Sequence, residues 1–333
     1  MSRLWRILFW PILIIIVLIG VYRILPAPIT NSGERTMVDA RGDTVHLPQY
    51  PQRIMAISSA LDLVLLDFLP KEKILAVVKD SQSPFSSLRW QEAREIKKNY
   101  GRTPGAEEII ALQPDLVFMP DYTSDDVVSA VRAIGIPVVV VKTPEKVNEV
   151  HTMVRQVGEA LGEPQTAERI LKKFDDEIEL SLARTNTIPP EQRRKVIFIS
   201  SMVGYGGTGS LFADANRYSG LINAAAAAGI PAHTAFTEER LVDMDPDVIF
   251  IPTYSNGPSK LVQHFYTDKA YASLSAVRNR RVLPLRPAYL YNSSITLPEG
   301  IAAVQCVGYK ERFPELAEKY MQPVPTSPSI IGR

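Results

Sequence analysis

At 333 residues the chain has room for two domains of ordinary size, and 37 basic against 36 acidic side chains leave no excess of positive charge to mark nucleic acid as a partner. One cysteine, Cys306, excludes an internal disulfide framework and any multi-cysteine metal site. It sits in the apolar run IAAVQCVGY, where a buried structural thiol is expected.

Arg3 and Arg6 precede residues 7–22, a run apolar except for Tyr22 and interrupted by Pro11. Such a run is an export segment, either a cleaved signal peptide or a retained anchor. Leu25 stands two residues before Ala27, Pro28 follows it, and no nearby cysteine could carry a lipid. A retained anchor is therefore the expectation, with 1–33 as anchor and tether and the rest on the periplasmic or extracellular face of the cytoplasmic membrane.

Residues 34–162 read as a first α/β lobe. Residues 37–48 alternate around Arg41-Gly42-Asp43 as a hairpin, and 53–57, 73–78, 116–119 and 138–141 are short apolar runs that predict buried strands. Helices are predicted over 61–69, 107–112, 125–134 and 143–161, the last with the stripe Val147, Val150, Val154, Val157 and Leu161. The polar stretch 79–105 is long for a compact domain, and long loops of that kind are usually functional.

Residues 163–186 predict one long surface helix. In the run 164–184 the apolar residues Ala167, Ile170, Leu171, Phe174, Ile178 and Leu182 fall three or four apart, with charges on the other faces. Gly162 suits a left-handed end to the preceding helix, Pro164 suits a first helical position, and Pro189-Pro190 forbids further helix. At 1.5 Å per residue the run would reach roughly 30 Å, enough to bridge two lobes. A second α/β lobe over 187–322 has strands at 196–199, 248–251 and 282–285 and a closing helix at 298–313. The Pro- and Ser-rich tail, 323–333, is expected to be disordered.

Two echoes flank the long helix. The segment EEIIALQPDLVFMP returns as EERLVDMDPDVIFIP, with Pro114 and Pro246 132 positions apart (246 minus 114). Arg53-Ile54-Met55-Ala56-Ile57-Ser58-Ser59 is matched by Lys195-Val196-Ile197-Phe198-Ile199-Ser200-Ser201. Two echoes in the same order predict two lobes of one plan. The expected fold is α/β: two doubly wound lobes with mainly parallel sheets joined by a single long helix.

Ligands of parallel α/β sheets bind beyond the carboxyl ends of the strands, which directs attention to the residues that follow them. Ser59, Lys79, Arg102, Tyr122, Tyr205, Tyr254, Arg286, Tyr289 and Tyr291 are the candidate ligand-binding residues. The tyrosines offer flat apolar faces with polar tips, and the cations suit an anionic chelate. The glycines of the stretch 204–210 lack the Lys-Ser/Thr ending of a phosphate-binding loop and are expected to let backbone approach a ligand closely. His46, His151, His233 and His264 are scattered, so no bare-metal site is expected. Neither a Gly-x-Ser-x-Gly elbow nor a His-Glu-x-x-His helix is present, and no catalytic residue is assigned.

The ordered set VDARGDTVHLPQYPQRIMAIS, GRTPGAEEIIALQPDLVF, the long helix and EERLVDMDPDVIF resembles the solute-binding proteins of ABC importers for iron–siderophore complexes, haem and cobalamin. The resemblance, over roughly residues 37–315, implies lobes bridged by a rigid helix that closes little on its ligand. It implies delivery to an ABC permease with its ATPase, and no covalent chemistry. In that family each lobe presents a glutamate to permease arginines, which corresponds here to Glu107 and Glu239. The expected ligand is an iron or cobalt chelate, ferric siderophore first, with haem and cobalamin as alternatives. A membrane-tethered chelate sensor or an enzyme on a similar fold also stays open. No cofactor beyond the ligand is expected, and the chain is expected to be a monomer held to the membrane by its amino-terminal segment.

Overall fold

The computed structural model describes residues 35–199, 206–232, 234–235, 237–291 and 293–325. The expected anchor, Tyr205, His233 and most of the expected tail lie outside the described residues. No helix among the described residues is long and apolar enough to cross a membrane.

Apolar runs of four or five residues with few charges have no face to offer water, so they form strands covered on both sides. β1 (Arg35–Val38) and β2 (Thr44–Leu47) make the antiparallel hairpin that the Arg41-Gly42-Asp43 turn predicts. β3 (Ile54–Ala56), β4 (Ile74–Val78), β5 (Asn99–Tyr100), β6 (Leu116–Pro120) and β7 (Val138–Val141) form a parallel sheet in the order β5-β4-β3-β6-β7. β8 (Lys195–Phe198), β9 (Ile222–Asn223), β10 (Val248–Pro252) and β11 (Val282–Leu285) form a second, in the order β11-β10-β8-β9. The fold is two doubly wound α/β lobes. Strand order reverses at β3/β6 in the first and at β8/β10 in the second, so each sheet has its ligand-competent crevice at that point.

The long helix spans Pro164–Thr185, one residue beyond the expected run, and the preceding helix ends at Gly162 in the left-handed conformation (φ 75°). Its stripe does more than cover one lobe. Ala167, Ile170, Leu171, Phe174 and Ile178 share one continuous core with Leu61, Val64 and Leu65 of the first lobe and with Ala215, Leu297 and Ile301 of the second.

Four readings differ from expectation. The helix predicted from 143 begins only at Glu149, because Asp121 draws the Thr143 hydroxyl (2.7 Å) and amide (3.2 Å) to the edge of β6 and leaves 143–145 as cleft wall. The helix expected over 298–313 ends at Gly308, and a further helix that was not expected, Pro314–Met321, follows with Pro314 in the first position that proline favours. The polar stretch 79–105 is not bare loop: it holds a short helix, Trp90–Arg94, and the edge strand β5. The tail begins fixed, with Val324 buried and exchanging two hydrogen bonds with the Asn256 amide (2.8 and 2.9 Å).

The internal echo has a physical content. Asp115 accepts from the amides of Gln52 (2.7 Å) and Arg53 (2.9 Å) at the entry to β3, as Asp247 accepts from Lys195 (2.8 Å) at the entry to β8. Arg53 donates to the Leu112 carbonyl and Lys195 to the Met244 carbonyl, each placing a cation on the carboxyl end of the equivalent helix, Ala106–Ala111 or Glu238–Met244. Gln113 (φ 54°) and Asp245 (φ 36°), both left-handed, make the same turn before the shared Pro-Asp.

Candidate functional site

A cavity of about 740 Å³ lies between the lobes. Its first-lobe wall is made by residues just after strands: Ser58 after β3, Asp121 and Tyr122 after β6, Lys142 and Thr143 after β7. Its second-lobe wall comes from Ser210, Leu211 and Phe212 at the start of the helix Leu211–Ser219 and from Tyr289 and Tyr291 after β11. Leu297, Ile301 and Val304 of the helix Leu297–Gly308 make an apolar floor. Ser58 and Ser210 cap their helices, accepting from the Leu61 (3.3 Å) and Ala213 (3.1 Å) amides, so two helix amino termini open on the cavity.

A second chamber of about 360 Å³ shares Ser58, Ala60, Tyr122, Tyr291 and Ser293 with the first. Ser59, Asp80, Arg102 and Tyr254 line it. Arg102 is ion-paired with Asp80, which holds the guanidinium proton more firmly still, helped by the Tyr254 hydroxyl from the opposite lobe.

The structure thus brings Ser59, Arg102, Tyr122, Tyr254, Tyr289 and Tyr291 to the cleft. Tyr122 and Tyr254 are more than half exposed, whereas Tyr289 is buried against Tyr320 (ring centroids 5.4 Å apart) and offers only an edge; burial pushes its phenol pKa up. Lys79 points to solvent and does not line either chamber. Arg286 is spent on holding the lobes together. Its guanidinium donates to the carbonyls of Pro84 (2.5 Å) and Ser87 (3.2 Å) in the first lobe while lying 5.1 Å from the Tyr289 ring centroid. The three cations expected beside the tyrosines do not gather there; Asp121, Lys142 and Glu145 line the large cavity instead, with Lys142 ion-paired to Glu149 (3.2 Å).

Lys142, Thr143 and Glu145 escape a sequence reading that stops at tyrosines and arginines, although they follow β7 by the same rule that found Tyr122. The floor residues have no signal of their own, because an apolar side chain facing a cavity is spaced like one facing the core. Gly207 is required by its own chain: a Cβ there would lie 2.3 Å from the Ile230 carbonyl, so close approach to a ligand is not what selects it. His151 bonds Asp175 of the long helix (2.8 Å), and no group of three or more His, Cys, Asp or Glu among the described residues could hold a metal.

Glu107 and Glu239 are both exposed in the first turns of the equivalent helices. The Thr237 hydroxyl holds the Glu239 carboxyl below its usual range, and Glu238 accepts from the Tyr271 hydroxyl (2.7 Å).

The family model for periplasmic binding proteins matches residues 67–289. The chain belongs to that family. It is therefore an extracytoplasmic solute-binding component of an ABC importer. An ABC transporter substrate-binding lipoprotein of Bacillus subtilis, YvrC, is 22% identical over 284 residues, covering 84% of this chain and 87% of that one. Among solved structures, molybdate-bound MolA of Haemophilus influenzae superposes with a TM-score of 0.71 at 16% identity, covering 88% of this chain and 99% of that one. The haem-binding protein RhuT of Roseiflexus sp. RS-1, in apo form, gives 0.66 at 22% identity, covering 80% and 99%. The two solved structures are named for molybdate and haem.

Proposed function

We propose that this member of the family captures a metal chelate in the interlobe cleft and delivers it to an ABC permease, a ferric siderophore being the first candidate and haem and cobalamin the alternatives. The observation that carries the reading is the volume and lining of the cleft. About 740 Å³ faced by Leu61, Met153, Leu211, Phe212 and the tyrosines suits a drug-sized or larger body with an apolar surface. A bare oxyanion, the kind of ligand that MolA is named for, would need dense polar donors around a small site, and this lining is mostly apolar.

Delivery is assigned to Glu107 and Glu239, exposed at equivalent points of the two lobes, where they can reach permease arginines and make charge-assisted pairs. Residues 1–33 would tether the protein to the membrane, and no cofactor beyond the chelate is required. Titration with ferric hydroxamate and catecholate siderophores, haemin and cyanocobalamin tests capture, by quenching of tyrosine and tryptophan fluorescence. Saturable binding of one chelate is expected. In Glu107→Arg with Glu239→Arg, that binding should persist while uptake in cells is lost. Uptake that survives the double charge reversal removes the delivery role, and no binding of any probe removes the chelate reading.

A further inference from the structure

The smaller chamber differs from the larger in both construction and chemistry. Its roof is the stretch 83–89 of the first lobe, which crosses to the second and is pinned there. Arg286 donates to the Pro84 and Ser87 carbonyls, the Ala288 amide donates to the Phe85 carbonyl (3.0 Å), and Leu88 packs into the core of the second lobe. Opposite, the Ser294 hydroxyl donates to the Ala60 carbonyl (2.6 Å). The roof and the Ser294 side are fixed before any ligand arrives, while Arg102, Tyr122 and Tyr254 are more than half exposed. At 360 Å³ the space equals that of about a dozen waters, enough for one substituent and too small for a whole chelate.

Hydroxyls supply much of the polar part of the lining, among them those of Ser58, Ser59, Ser86, Ser293 and Tyr254. The charged residues among the described ones are Asp80 and Arg102, which neutralise each other. An anionic group entering would meet the Asp80 carboxylate beside the Arg102 guanidinium, and a cationic group the reverse. Each would have to break or share an existing pair. An uncharged donor–acceptor group keeps the pair and adds bonds to the hydroxyls.

Resting on the chelate reading of the cleft, we propose that this side chamber is a distinct subsite for an uncharged, hydrogen-bonding arm of the ligand, of hydroxyl or carboxamide type, while the larger cavity holds the apolar body. The Asp80–Arg102 pair sets that charge preference.

Two measurements test it. With Ser86→Cys in the full chain, the fully buried Cys306 leaves the new thiol as the one that reacts. Anionic and cationic methanethiosulfonate reagents should modify it at similar rates. Adding Asp80→Asn should favour the anionic reagent by about fivefold, and adding Arg102→Gln the cationic one by as much. Strong charge selectivity without either change, or a ratio that neither variant moves, overturns the proposal. The second measurement titrates cyanocobalamin, whose arms are neutral amides, against haemin, whose arms are carboxylates. Asp80→Asn should tighten haemin relative to cyanocobalamin by about fivefold. Binding of either chelate with an unchanged preference overturns the subsite. If neither chelate binds, the chelate reading is what fails, and the labelling ratio still decides whether the chamber is electrically neutral.

Discussion

Asp62 is the residue whose chemistry is least like its type. It is wholly buried behind the cleft, with one carboxyl oxygen accepting from the Val78 amide (2.8 Å) and the Ser81 hydroxyl (2.6 Å) and the other without a partner. Burial pushes its pKa from 3.8 to about 8, against the downward pull of those two donors. Because the folded value is raised, its contribution to stability is fully present below about pH 4 and is lost as pH rises through about 8. The parent should therefore lose stability relative to Asp62→Asn between pH 5 and pH 8, on the order of 1 kcal/mol per pH unit. Denaturant midpoints at the two pH values measure it; parallel curves would show the carboxyl to be ionised throughout. Nothing in the sequence marks Asp62, which looks like any acid in the first turn of a helix. Tyr122 and Tyr254 were legible because position after a strand is a local property. The pairing of Arg102 and the diversion of Arg286 were not, because a cation's partner is set by loops that meet only in the fold.

At the scale of elements, the long helix and its boundaries were legible because periodicity, Gly162 and Pro164 all agree. Its attachment was not. Gln305, buried in the helix Leu297–Gly308, donates to the Ser181 carbonyl (3.0 Å), the Thr185 hydroxyl (2.8 Å) and the Ser219 carbonyl (3.2 Å), and accepts from Arg184 (2.7 Å). This one amide ties together three helices. Gln305→Leu keeps the volume and strands several buried polar groups, which should cost about 2–4 kcal/mol by chemical denaturation. A loss below about 0.5 kcal/mol would mean that the network adds nothing to packing. A glutamine in the run IAAVQCVGY reads as one polar position on an apolar helix, and only the packing of its neighbours gives it partners. The closing helix was read five residues too long, to 313, and the helix Pro314–Met321 beyond it was not read at all, although Pro314 marks its start.

For the molecule as a whole, three features oppose hinge motion: the core shared by both lobes through the long helix, the pinned stretch 83–89, and the Ser294–Ala60 bond. Ligand should therefore change the radius of gyration in solution scattering only slightly, unlike the wide closure of hinged binders. A large contraction would contradict the shared core. The two-lobed plan was legible in the echoes because strand entry in each lobe relies on the same local devices, an aspartate on amides and a cation on a helix end. The cleft's charge balance was not, since it depends on which side chains the two lobes turn toward each other.

The equivalent helices at Glu107 and Glu239 are not equally well made. The second begins at Thr237, whose hydroxyl accepts from the Arg240 amide and steadies Glu239, with Glu238 held by Tyr271; the first begins at Gly105, which has no side chain to cap it. Its first turn is the one that frays first. Any partner broad enough to span both lobes thus meets one rigid post and one adjustable post, and the pseudo-symmetry of the chain carries a built-in polarity.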